Sequence, residues 1–148
     1  MFKINRKLEY ALMALKHMLN KSDELTSAKE ICQIYGSPFD ATSRALQIMT
    51  SHHILKSEQG VRGGYKIIKD LSKVSFLEFV EMIEGGFQMT HCLHDDDGSC
   101  DIKSTCNILS PITRLNEKLQ SFCAEMNLLE LLNGGPTGSK HSAQSIAV

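Results

Sequence analysis

Residues 37–65 read SPFDATSRALQIMTSHHILKSEQGVRGGY, and the order of signals along them decides the fold. Ser37-Pro38 is a helix start, a capping residue followed by a proline whose fixed φ suits the first helical turn. The spacing predicts a helix to about Thr50, with Phe39, Ala45, Leu46 and Met49 toward the core. Ser37, Asp40, Thr42, Ser43, Arg44 and Gln47 are left for its outer face. Ile54–Ser57 and Tyr65–Ile68 are short strand candidates. Gly60, Gly63 and Gly64 between them permit left-handed backbone angles in a hairpin loop, with Arg62 at its tip. The glycines are not a nucleotide fingerprint, because no parallel strand–helix unit surrounds them.

Upstream lie two more helix signals. Asn5 can cap a first helix running to about Asn20, with Leu8, Ala11, Leu12, Leu15, Met18 and Leu19 on one face. Ser27 and Glu30 have the spacing of a capping box. They open a short helix with Ala28, Ile31, Cys32 and Tyr35 on its buried side, ended by Gly36. Two helices joined by a tight glycine turn are the plan of a helix-turn-helix, whose second helix enters the major groove. A hairpin directly after it makes a winged helix.

Downstream, Ser75 and Glu78 form another capping box, opening a helix with Phe76, Phe79, Val80 and Ile83 on one side. Gly85-Gly86 stop it. The segment HCLHDDDGSCDIKSTC follows, at 91–106, with Cys92, Cys100 and Cys106 spaced C-x7-C-x5-C. Thiolates on a loop between helices can converge on a soft metal or an iron–sulfur cluster. A structural zinc or a thiol switch are the other readings of the trio. His91 and His94 flank Cys92 and are further ligand candidates. The Asp95–Asp97 run reads as solvated loop. Cys32 and Cys123 fall on apolar helix faces and read as core thiols.

Ser110-Pro111 opens a last, long helix to about Leu132. Ile112, Leu115, Leu119, Phe122, Met126 and Leu129 step along it as a heptad seam. At 1.5 Å per residue it spans roughly 33 Å, too long to bury its stripe on a small winged domain alone. A symmetric second copy is the expected cover. The expected organisation is a winged helix-turn-helix over 1–74 and a linking helix with the cysteine segment over 75–109. A dimerisation helix over 110–132 and a disordered tail over 133–148 complete it. The fold class is mainly α with a small β-wing.

Composition agrees. The net charge of −1 hides an asymmetry. Residues 1–76 carry twelve Lys/Arg against seven Asp/Glu, and residues 77–148 carry four against ten. A basic first half suits a polyanion such as double-stranded DNA. The outward set Ser37, Thr42, Ser43, Arg44 and Gln47, with Arg62 on the wing, are the candidate DNA contacts. His52 and His53, at the end of the reading helix, are candidate phosphate contacts or caps. No apolar run reaches transmembrane length, and the charged N-terminal stretch reads as a helix, not a signal peptide. The expected location is cytoplasmic, where clustered cysteines are more often metal-binding or redox-active than disulfide-bonded. No nucleophile–base pair or cofactor fingerprint points to an enzyme.

With these landmarks placed, the chain resembles the Rrf-two family of winged-helix transcription regulators, which includes the IscR and NsrR types. The resemblance covers about residues 1–132. It rests on Tyr10-Ala11-Leu12, on the wing Gly60-Val61-Arg62-Gly63-Gly64-Tyr65, and on three cysteines ahead of a long helix. It implies a dimer formed through that helix, palindromic operator DNA, and a 2Fe–2S or 4Fe–4S cluster on Cys92, Cys100 and Cys106. The first two cysteines are more widely separated here than is usual in the family. The histidine that IscR types use as fourth ligand is replaced by Leu109. Some NsrR-like members use a carboxylate from the partner's first helix, and Glu9 stands at the matching position. The family often carries a basic residue where Gln59 stands.

Overall fold

The computed structural model describes residues 4–21, 24–87 and 100–134. Its first helix, α1 (Arg6–Asn20), starts where the Asn5 side chain accepts the Lys7 N–H at 3.0 Å. That satisfies one of the donors a helix start leaves without a partner. Leu8, Ala11, Ala14, Leu15 and Met18 form its buried stripe. Ala11 and Ala14 are small enough to let α3 (Phe39–Ser51) pack closely against α1.

The helix α2 (Ala28–Tyr35) is capped by Ser27, whose hydroxyl accepts the Glu30 N–H at 3.1 Å. The expected capping box is only half made. The Glu30 carboxylate is drawn instead to Lys21 Nζ at 2.6 Å and His17 Nε2 at 3.0 Å. A charged partner outbids the backbone N–H. Gly36, at φ 67°, ends α2 in the left-handed region. Ala28 and Ile31 are buried as expected, but Cys32 is half-buried and Tyr35 is exposed at the rim.

Three expectations for α3 are corrected. Its cap residue is Pro38, not Ser37, because the Ser37 hydroxyl is spent on Thr42. Phe39, expected in the core, is 57% exposed. Ser37 and Thr42, expected outside, are buried. The inner face centres on Thr42, Ala45, Leu46 and Met49, which leaves Phe39 beyond the edge of the core in the first turn. The helix ends at His52, and His53 takes φ 56°, the left-handed position that glycine usually fills.

The wing is an antiparallel pair, β1 (Leu55–Glu58) and β2 (Gly64–Ile67), with Leu55 opposite Ile67 and Glu58 opposite Gly64. Each strand is displaced by one residue from the expected span. Thr26 pairs with Tyr65 through two backbone bonds of 2.9 Å and adds a one-residue third strand. The glycines serve two purposes rather than one. Gly60 uses a positive φ of 125°. At Gly64 a Cβ would meet the Thr26 backbone at 2.9 Å, so this residue permits a close approach.

A 3-10 turn at Leu71–Lys73 leads to α4 (Phe76–Glu84), where the capping box of Ser75 and Glu78 is complete. Phe79, Val80 and Ile83 are buried, and α4 packs on both α1 and α3. The chain returns along α4 as α5 (Leu109–Glu125), burying Asn116 and Cys123. Gln120 Nε2 donates to the Phe87 carbonyl at 2.9 Å.

The single helix expected over 110–132 is two helices. Met126 is extended at φ −87°, ψ 121°, and α6 (Leu128–Asn133) starts afresh. At the break, the Phe76 N–H donates to the Met126 carbonyl at 2.7 Å and the Leu128 N–H to the Val74 carbonyl at 2.9 Å. Asn127 caps α6 by accepting the Glu130 N–H at 2.9 Å. Backbone bonds to residues 74–76 therefore replace the helical ones, and fully buried Leu128 locks the break into the core. Asn133, expected in the tail, closes α6, and Gly134 caps it at φ 87°. The tail reading for 135–148 lies outside the described residues. No described helix is long and apolar enough to cross a membrane.

Candidate nucleic-acid interface and cysteine segment

The inner face of α3 fixes what its outer face offers. With Thr42, Ala45, Leu46 and Met49 buried, Asp40, Arg44 and Gln47 stand exposed and Ser43 is half-buried. Arg44 and Gln47 carry forked donors and acceptors of the kind that read guanine and adenine edges. The structure keeps Ser43, Arg44 and Gln47 together on the outside and takes Ser37 and Thr42 out of that group. The last two lie 2.8 Å apart, and the Ser37 hydroxyl donates on to Cys32 Sγ at 3.7 Å. One proton each suffices when Thr42 donates to Ser37. Their work is to join the α2–α3 turn internally.

The wing tip presents exposed Arg62 beside fully exposed Val61 and exposed Gln59. Behind it, Lys66 Nζ meets Glu58 Oε1 at 3.0 Å. Lys66 holds the Glu58 carboxyl below the usual carboxylate range. That cation is already neutralised across the hairpin, which leaves Arg62 as the charge at the wing tip, with exposed Lys56 further back on β1. His52 and His53 are exposed at the end of α3, where His53 forms the left-handed cap described above.

The cysteine segment is described in part. Cys92, His91, His94 and Asp95–Asp97 lie outside the described residues. Cys100 and Cys106 are free thiols, both half-buried, at the two ends of a short turn. The turn is a 3-10 helix at Lys103–Thr105, held by Lys103 N–H to the Cys100 carbonyl at 3.2 Å and Thr105 N–H to the Ile102 carbonyl at 3.1 Å. Two thiols borne on one tight turn are a donor set suited to a soft metal centre. Among the described residues, no three His, Cys, Asp or Glu side chains form a metal-holding group. Glu9 is exposed on α1, one turn beyond the Asn5 cap, and is not gathered to Cys100 and Cys106 within one chain. Cys123 is buried, and that burial pushes its thiol up.

Two features escaped the sequence. Asn5 Nδ2 donates to Glu84 Oε2 at 2.9 Å, tying the start of α1 to the end of α4 where the cysteine segment departs. Tyr35, His17, Glu30 and Lys21 form a polar chain joining α1 to α2, with His17 Nδ1 3.1 Å from the Tyr35 hydroxyl. Neither has a local pattern, since each joins residues far apart in the chain.

One apolar surface remains uncovered. Ile108, Leu115 and Phe122, seven residues apart, are 57%, 43% and 60% exposed. Phe122 also lines a groove of about 520 Å³ with Leu12, Met13, Met126 and Leu132.

Comparison with known proteins follows this geometry closely. A family model described as "Iron-dependent Transcriptional regulator", Rrf2, matches residues 4–134. The chain is 22% identical over 124 residues to the HTH-type transcriptional regulator NsrR of Shouchella clausii, covering 82% of this chain and 78% of that one. The solved structure of CymR, the global cysteine regulator of B. subtilis, is similar with a TM-score of 0.69 at 19% identity. It covers 92% of this chain and all of that one. T. potens IscR is similar with a TM-score of 0.63 at 15% identity, covering 90% and 88%. At these identities the two structures speak for the winged-helix fold alone.

Proposed function

The chain belongs to the Rrf2 (Rrf-two) family of DNA-binding transcription regulators, and from that premise we propose that it is a dimeric, cytoplasmic sensor whose cysteine segment controls its grip on a palindromic operator. It is a regulator, not an enzyme. In this reading Ser43, Arg44 and Gln47 on α3 meet base edges and phosphates in the major groove, and Arg62 reaches phosphate or a narrow minor groove. Cys92, Cys100 and Cys106 hold an iron–sulfur cluster, and Glu9 of the partner subunit supplies the fourth ligand. A bound cluster of this kind supplies a centre sensitive to redox state and nitric oxide.

The observation that carries the reading is the position of Cys100 and Cys106. Their turn joins α4, which packs on the reading head, to α5, which bears the uncovered ridge. Ordering that turn biases how two reading heads are spaced, and spacing decides the fit to two half-sites. The ridge Ile108–Leu115–Phe122 is the proposed dimer seam, in place of the longer 110–132 helix.

The test is anaerobic purification with iron and sulfide quantification, visible spectroscopy and a DNA shift assay across a salt series. Iron and sulfide in matching amounts, with salt-steep DNA binding, support the reading. Zinc without iron and sulfide overturns the cluster assignment in favour of a structural metal. Neither metal, with DNA binding altered by thiol oxidation, turns it toward a thiol switch.

A further inference from the structure

We infer that Phe39 is a base-reading residue that selects thymine by apolar contact with its 5-methyl group. The inference rests on α3 being the reading helix. Phe39 is the first residue of that helix, and the N-terminal residues of a recognition helix are the ones that reach base edges. The residue is 57% exposed, although sequence spacing places it toward the core. The core closes at Thr42, Ala45, Leu46 and Met49, one turn further on.

Phe39 also stands in line with half-buried Ser43 and exposed Gln47, at i, i+4 and i+8. This ridge flanks Arg44 and continues the polar reading face to its tip. The chemistry of the first turn is selective. Phe39, Asp40, Ala41 and Thr42 include no cation, so only backbone N–H groups could hold a phosphate at this turn. Asp40 repels it. On the major-groove edge of DNA the apolar group is the thymine methyl, and a phenyl ring is among the side chains that match it. Contact there removes both apolar surfaces from water, which stabilises the complex only when thymine is present.

The experiment uses the full-length protein and a duplex selected from a random pool by that protein. Each thymine of the bound half-site is replaced in turn by deoxyuridine, which deletes the methyl and leaves the hydrogen-bonding edge intact. Binding is measured by fluorescence anisotropy at fixed salt. For the wild type, at least one position should weaken about fourfold, the worth of one buried methyl-sized group. For Phe39→Ala that position should become insensitive, while Phe39→Leu keeps part of the penalty. Equal uridine penalties in wild type and Phe39→Ala overturn the inference. So does a Phe39→Ala change confined to association state in sedimentation. Failure of the underlying reading is separable: Arg44→Ala and Gln47→Ala would then leave affinity for the selected duplex unchanged.

Discussion

The hydroxyls of Ser37 and Thr42 lie 2.8 Å apart, with Thr42 fully buried and Ser37 8% exposed. The pair closes the turn between α2 and α3 from the inside. Thr42→Val keeps the shape and removes the bond donated to Ser37, leaving that hydroxyl only its weak bond to Cys32 Sγ, so stability should fall by about 1 kcal/mol in denaturant titration. Ser37→Ala should cost a similar amount. Neither variant should change base preference once folded, and a change in preference without loss of stability would restore both residues to the DNA contacts.

Gly64 separates close approach from backbone freedom. A Cβ there meets Thr26 backbone atoms at 2.9 Å, whereas Gly86 has open space around it and no positive φ. Gly64→Ala should lower the midpoint of thermal unfolding and expose the Thr26 amide, visible as faster hydrogen exchange. The cost is expected at about 1–3 kcal/mol, the range of overpacking. Gly86→Ala should be near neutral, so equal effects would count against the steric account.

Glu30 supplies a pH dependence. Burial pushes its carboxyl up, but hydrogen bonds from Lys21 and His17 outweigh that, and the net position is below the usual 4.5. A depressed carboxyl stabilises the fold above its unfolded value and loses that contribution as pH falls through the folded one. Wild-type stability should therefore drop as the pH is taken below about 4.5 in part because of this group. Glu30→Gln should remove that part of the slope and cost about 0.5–1 kcal/mol at neutral pH. An unchanged acid limb in the variant would refute the assignment.

The uncovered ridge on α5 tests the dimer. Leu115→Glu and Phe122→Glu place charge on exposed apolar positions, so each should leave the protomer folded and shift sedimentation toward monomer. Leu119, packed against the protomer's own core, is the contrasting position. Leu119 is half-buried, so Leu119→Ala should lower stability by about 1–2 kcal/mol, with association affected only through unfolding. Monomeric wild-type protein at micromolar concentration would end the proposal.

The cysteines divide by environment. Cys100→Ala and Cys106→Ala should abolish the visible absorption of anaerobically reconstituted protein while leaving the far-ultraviolet circular dichroism intact. Cys123→Ala removes a buried thiol from the α5 core face, so it should cost about 1 kcal/mol and keep the absorption. Absorption retained by the first two variants would show that these thiols are not ligands.

The amino-acid order by itself determined the elements whose causes are local. Asn5, Ser75 with Glu78, and Gly36 mark helix ends through hydrogen bonds and backbone angles confined to a few residues. The wing is legible for the same reason, as are the outward positions of Arg44, Gln47 and Arg62. Tertiary structure alone decided what depends on residues distant in the chain. Helical periodicity places Phe39 over a core that stops one turn too soon, and places Thr42 outside a turn that folds over it. The heptad continues through Met126, yet residues 74–76 offer backbone partners there and the helix breaks. Periodicity reports which face a residue occupies; only the packed neighbours determine whether that face is covered.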